Sequence, residues 1–158
     1  MERRNFLKGL CTVSAVAATV TPALLSAEAV KKGPQSPNAM DYKTAIDTIT
    51  GGKGATESPK VNLTVPEIAE NGAVVPVKVD VDHPMEENNY VKAIHVLAKE
   101  NSNVRAADVM LTPMNGQGYF ATRVKLAKTQ EVVAVVELSD GSYLSAAKSV
   151  KVTIGGCG

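Results

Sequence analysis

The sequence predicts an all-β protein: an immunoglobulin-like antiparallel β-sandwich of about seven strands, preceded by a short helix and followed by a flexible C-terminal arm. Three observations point there. Apolar residues alternate with polar ones from Lys60 onward, as in strands with one buried face. Turn dipeptides separate these runs at short intervals: Asn71-Gly72, Asn115-Gly116 and Asp140-Gly141. The apolar residues are mostly Val, Leu, Ile and Ala, and β-branched side chains suit a pleated surface.

The elements follow in order. Residues 30–38 read as an extended linker containing Pro34 and Pro37. Ala39–Thr50 reads as the helix, with Ser36 or Asn38 as its cap and Gly51-Gly52 as its end. Met40, Ala45, Ile46 and Ile49 give it one apolar side. Gly51–Pro59 is a second joint, so residues 30–59 form a linker with a short helix, and residues 60–154 form the sandwich. Val61, Leu63 and Val65 alternate until Pro66 interrupts; Val75, Val77, Val79 and Val81 alternate cleanly. Lys92–Lys99 and Ala107–Thr112 are further apolar runs of strand length. Asn115-Gly116 is expected to be a hairpin turn before Tyr119–Leu126. Glu131–Leu138 is almost continuously apolar, which predicts a central strand. Asp140-Gly141 turns the chain into the last strand, Tyr143–Ile154. There is no tryptophan, and Phe120 is the one phenylalanine after residue 29. So thin a core hints that a partner covers part of the apolar surface.

The first residues read as an export signal. Arg3-Arg4-Asn5-Phe6-Leu7-Lys8 is a twin-arginine pattern ahead of an apolar run, and Ala27-Glu28-Ala29 is a small-x-small cleavage site. Residues 1–29 are therefore expected to be removed and the remainder to work in the periplasm. Cys11 follows Leu10 inside the apolar run, which does not suit lipid modification, and it is discarded with the signal. Losing Arg3, Arg4, Lys8, Glu2 and Glu28 removes three of 17 basic and two of 16 acidic residues, leaving 14 of each. With no basic excess, nucleic acid is not an expected partner. No stretch after the signal is long and apolar enough to span a bilayer, so no membrane contact is expected of the mature form.

Signal removal leaves Cys157 as the single cysteine. An odd cysteine in an oxidising compartment means an intermolecular bond, a modified thiol or a reactive one. Gly155, Gly156 and Gly158 flank it, forming an arm over residues 155–158. Glycines make a tether with a narrow cross-section, and three extended residues carry the sulfur about 10 Å past Ile154. A thiolate is a strong nucleophile, and sulfur bonds reversibly to sulfur. No neighbouring His, Lys or second Cys activates this thiol, and the terminal carboxylate opposes ionisation. It suits an attachment point that other enzymes activate, rather than a catalytic residue. A structural or adhesive module joined as a covalent dimer through Cys157, or an incidental thiol, fits the composition equally well.

Other chemistry is weaker. His83 lies in a loop with Met85; His95 lies within a strand; with Met110 and Met114 they match no ligand spacing, so no metal site is assigned. Asp80, Asp82, Glu86 and Glu87 read as a solvated acidic loop, or as a docking patch for a basic partner. There is no hydrolase, metalloprotease, phosphate-loop or dinucleotide motif, and no cofactor is expected.

The ending Val150-Lys151-Val152-Thr153-Ile154-Gly155-Gly156-Cys157-Gly158 resembles that of the SoxY family of sulfur-oxidising bacteria, one glycine short of the family's glycine-glycine-cysteine-glycine-glycine arm. Pro66–Val77, Thr129–Ala134, Ser139-Asp140-Gly141 and the twin-arginine signal resemble it too. The resemblance implies a non-catalytic sulfur carrier paired with a SoxZ-type subunit. It further implies loading of Cys157 with thiosulfate by a SoxXA-type cytochrome. A SoxB-type hydrolase and, where present, a SoxCD-type sulfur dehydrogenase would process the cargo. Intact-mass measurement of the protein from the periplasmic fraction is expected to show a chain beginning at Val30; a mass retaining residues 1–29 contradicts the signal assignment.

Overall fold

A computed structural model describes residues 39–156. Helix α1 spans Tyr42–Thr50. Nine strands follow: β1 Thr56–Glu57, β2 Val61–Thr64, β3 Ile68–Asn71, β4 Val75–Val81, β5 Val91–Ala98, β6 Arg105–Met110, β7 Gly118–Val124, β8 Gln130–Leu138 and β9 Tyr143–Ile154. The larger sheet runs β1-β9-β8-β5-β6, with β3 also paired to β9, and the smaller runs β2-β4-β7. The two-sheet sandwich is the one the alternation predicts, and every strand expected from the sequence is present.

Two short strands were not legible. β1 and β3 both lie parallel along β9, Thr56 opposite Leu144 and Ile68 opposite Lys151. They are two and four residues long and too polar to show a period. The other pairings among the named strands are antiparallel.

Two expectations are corrected. The helix is capped by Asp41, not by Ser36 or Asn38, which lie outside the described residues. Met40 makes a bridge with Asn103, so the chain is still extended there. Asp41 then accepts hydrogen bonds from the Thr44 amide at 2.9 Å and the Thr44 hydroxyl at 2.8 Å. Those two bonds hold its carboxyl below the usual carboxylate range. Gly51, at φ 60°, ends the helix as expected, since an αL position suits glycine. The second correction concerns Asn115-Gly116. Pro113–Asn115 forms a 3₁₀ turn, and the Asn115 side chain accepts from the Thr112 amide at 2.8 Å. Its strands, β6 and β7, belong to different sheets, so this link is a crossover and not a hairpin. Asp140-Gly141 does close a hairpin, with Gly141 at φ 79°.

The core is almost wholly aliphatic. Val75, Val77, Val79 and Val81 of β4 meet Val132, Ala134 and Val136 of β8 and Ile94 and Val96 of β5. A register shift between Val91 and Ala93 moves Val91 onto this same face. β8 is apolar on both faces because both are covered. Val133 and Val135 turn away from the sandwich interior and pack, with Leu97 and Val104, under Ala45, Ile46 and Ile49 of α1. The helix is therefore a third layer on the larger sheet. Phe120 is only partly buried, while Ile68, Val74, Met110, Met114, Tyr119 and Ile154 remain exposed.

A side chain as enclosed as Ile94 has no room to relax when truncated. Ile94→Ala is expected to lose about 2–5 kcal/mol in urea unfolding, whereas the exposed Met114→Ala should be nearly neutral.

Candidate functional site

β9 delivers the chain to the arm. Its first half lies between β8 and β1, and its second half, past Val150, pairs with β3. Just before β8 begins, Thr129 extends the ladder: its Oγ1 accepts from the Val152 amide at 2.9 Å. Thr153 Oγ1 donates to the Glu70 carbonyl at 2.9 Å, tying the strand to β3. The end of β9 is thus held from both sides up to Ile154.

The next two residues are held as well. The Gly72 amide donates to the Ile154 carbonyl at 2.7 Å, and the Gly156 amide donates to the Leu126 carbonyl at 2.9 Å. Between them, the Leu126 amide donates to the Gly72 carbonyl at 2.7 Å. Three backbone segments therefore meet at one point: the turn after β3, the chain after β7, and the first residues after β9. Contact this close requires glycine. A Cβ on Gly155 would stand 2.2 Å from the Ala127 carbonyl oxygen, and one on Gly156 would stand 2.7 Å from the Gly72 carbonyl. A Cβ on Gly72 would meet the Leu126 oxygen at 2.2 Å. Glycine at 155 and 156 was read from the sequence as freedom; in the structure it also supplies fit.

The far wall of this junction rests on buried polar side chains. Asn101 and Gln130 are 8% and 5% exposed. Asn101 donates to the Lys125 carbonyl at 2.7 Å and accepts from the Ala127 amide at 3.0 Å. Gln130 donates to the Asn101 oxygen at 2.8 Å and accepts from the Glu100 amide at 2.8 Å. Every polar group here has a partner, which is how a buried network holds one loop conformation. On the opposite side, Asn71 accepts from the Ala73 amide at 2.8 Å and shapes the turn that presents Gly72. Val74 and Ile154, both exposed, flank the junction.

Sequence reasoning assigned Gly72 to a turn and Leu126 to the end of a strand, which stops at Val124, and attached nothing to Asn101 or Ala127. The Asn71-Gly72 turn was visible, but its meeting with residues 126 and 156 is a tertiary fact. Cys157 and Gly158, and the signal residues Arg3, Arg4 and Cys11, lie outside the described residues. The histidines and methionines do not converge. His83 Nε2 bonds Asn89 at 2.8 Å in its loop. His95, 4% exposed on β5, holds Asp108 on β6 at 2.5 Å, and Arg105 holds the same carboxylate at 2.9 Å. Met85 packs on the core and accepts from the Val91 amide, while Met110 and Met114 face solvent. Among the described residues no group of three or more His, Cys, Asp or Glu is placed to hold a metal ion. Of the acidic residues read as one loop, Asp82, Glu86 and Glu87 are exposed after β4, whereas Asp80 lies within β4 and accepts from the Gln117 side chain at 3.1 Å.

The family model for sulfur oxidation protein SoxY matches residues 46–157, from inside α1 to the cysteine of the arm. The chain belongs to the SoxY family. A solved relative, the sulfur carrier protein SoxY from Chlorobium limicola f thiosulfatophilum, is 32% identical; the match covers 71% of this chain and 96% of that one, with a TM-score of 0.60. A superoxide reductase (neelaredoxin) from Ignicoccus hospitalis is 21% identical, with 59% of this chain and 80% of that one covered and a TM-score of 0.54. At that identity the likeness to the reductase is one of fold. No curated protein sequence matches. The SoxY match takes in the junction residues Gly72, Leu126, Gly155 and Gly156 as well as Cys157.

Asn101→Ala removes partners from Gln130, Lys125 and Ala127 at once. It is expected to cost about 1–3 kcal/mol in denaturant unfolding, more than an exposed polar-to-Ala change such as Asn62→Ala.

Proposed function

We propose that this protein is a periplasmic sulfur carrier, exported by the twin-arginine route, that holds thiosulfate-derived intermediates covalently on Cys157. The observation that carries the reading is the SoxY family match reaching residue 157, the one cysteine left after the signal. The solved relative, itself a sulfur carrier protein, supports it.

The chemistry follows from the thiol. Loading joins the Cys157 sulfur to the outer sulfur of thiosulfate. The thiol proton leaves to solvent and two electrons pass to a c-type cytochrome of SoxXA type. The product is a cysteine S-thiosulfonate. At a SoxB-type hydrolase, water cleaves the bond to the sulfonate, releasing sulfate and leaving a persulfide on Cys157. A SoxCD-type dehydrogenase, where present, then oxidises the outer sulfur with oxygen taken from water, the electrons passing to a c-type cytochrome and the protons to solvent. The carrier catalyses none of these steps itself. Its physical contribution is to keep the intermediate tethered, which raises its effective concentration at each successive site. A SoxZ-type subunit completes the carrier as a heterodimer, and the exposed apolar side chains on a small aliphatic sandwich support a covering partner.

Mass spectrometry of protein from thiosulfate-grown cells should show thiosulfonate or persulfide adducts on Cys157, and Cys157→Ser should abolish thiosulfate oxidation. A free thiol throughout, with the serine variant oxidising thiosulfate normally, would overturn the reading. Non-reducing gels should show disulfide dimers only as a minor product; mostly dimer would point to a structural module instead.

A further inference from the structure

The hydrogen bonds and close contacts around Gly72 bear on how the arm works, an inference that rests on the carrier reading for its function but not for its geometry. We propose that Gly72, together with the backbone of Leu126 and Ala127, forms a socket that seats the root of the arm and sets the point from which Cys157 departs. The arm then has two positions. In the seated position Gly155 and Gly156 lie in the socket, and the free part of the arm starts after Gly156. Release of the two glycines adds them to the free tether, whose pivot then moves back to Ile154, a segment of about 7 Å at 3.3–3.6 Å per extended residue.

The geometry supports a discrete seat over a continuum of positions. Among the described residues, one hydrogen bond, from the Gly156 amide to the Leu126 carbonyl, fastens the arm beyond Ile154. The socket itself does not depend on that bond. Its floor is braced by Asn101 and Gln130, and the Gly72 turn is shaped by Asn71 and bonded to Leu126. Withdrawing Gly155 and Gly156 leaves those bonds intact, so the arm can leave and return while the domain stays folded. The three glycines fit this economy. Each packs against backbone, which cannot move aside as a flexible side chain can, so an added methyl group at any of them closes the seat. Gly72 is thus a positioning residue acting on Cys157 through the arm. The benefit to a carrier is a defined thiol location when a partner first meets it, and added reach once the partner's cleft draws the arm in.

The test is residue-resolved amide hydrogen exchange on the protein purified as exported, for wild type, Gly72→Ala and Gly155→Ala. In wild type the Gly156 amide should exchange roughly five- to tenfold more slowly than the Gly158 amide, the factor expected of one net backbone hydrogen bond. Both variants should lose that protection while the core amides of Val96 and Ala134 keep theirs. Gly155→Ala lies past the last strand and remains informative if Gly72→Ala fails to fold. With the partner enzymes of the native source, the carrier concentration for half-maximal loading should rise several-fold in Gly155→Ala, with its melting temperature unchanged. A Gly156 amide that exchanges at the unprotected glycine rate in wild type overturns the socket. Unchanged half-maximal loading, in a variant that has lost the protection, overturns its positioning role. If wild-type protein takes up no sulfur at all, the carrier reading fails, and the exchange rates alone then decide for or against the socket.

Discussion

The pairing of β8 with its two neighbours is the constraint on which the molecule depends. β8 sits between β5 and β9, and both of its faces are covered, one by the smaller sheet and one by α1. Its register with β9, Gln130 opposite Val150 through Glu137 opposite Tyr143, fixes where β9 lies. A slip of one residue would turn every side chain of β9 to the wrong face. Because β9 continues directly into the arm, the same register decides where the arm leaves the domain.

Beyond the end of that ladder the chain is held by other means. Thr129 stands in for the missing strand, β3 takes over as neighbour, and Gly72 closes the set. A narrow backbone crossing of this kind is made here by removing Cβ atoms on two of the three segments, at Gly72 and at Gly155-Gly156, where they approach the carbonyls of Leu126 and Ala127. The glycines of the arm have a double use. Gly155 and Gly156 permit close contact with the domain, and under the proposal above they permit extension once released. The buried Asn101–Gln130 pair belongs to the same logic, since polar groups that satisfy one another hold the loop after β7 in one conformation.

The likeness to a superoxide reductase fold shows how little the sandwich itself says about chemistry. In this chain the buried histidine is turned to structure. His95 and Asp108 fasten the edge strand β6 to β5, and Arg105 completes the pairing of the carboxylate. The chemistry proposed from the SoxY family match is assigned instead to Cys157, which follows the last strand in the chain.

The sequence by itself determined the class of fold and the candidate residue. Alternation from Val75 to Val81 and the apolar run from Glu131 to Leu138 state which faces are buried, because burial acts on each side chain separately. Asp140-Gly141 states a hairpin because its turn geometry is local. The terminal Gly-Gly-Cys-Gly needed no structure to be noticed. Tertiary structure alone decided the rest. It made Asn115-Gly116 a crossover between sheets, since a turn dipeptide does not record which sheet its next strand will join. It moved the helix cap to Asp41, because a bridge to Asn103 keeps Met40 extended. It also brought Gly72, Leu126 and Gly156 to one point. Those residues are far apart in the chain, and a glycine required for close approach looks the same in sequence as a glycine required for a turn.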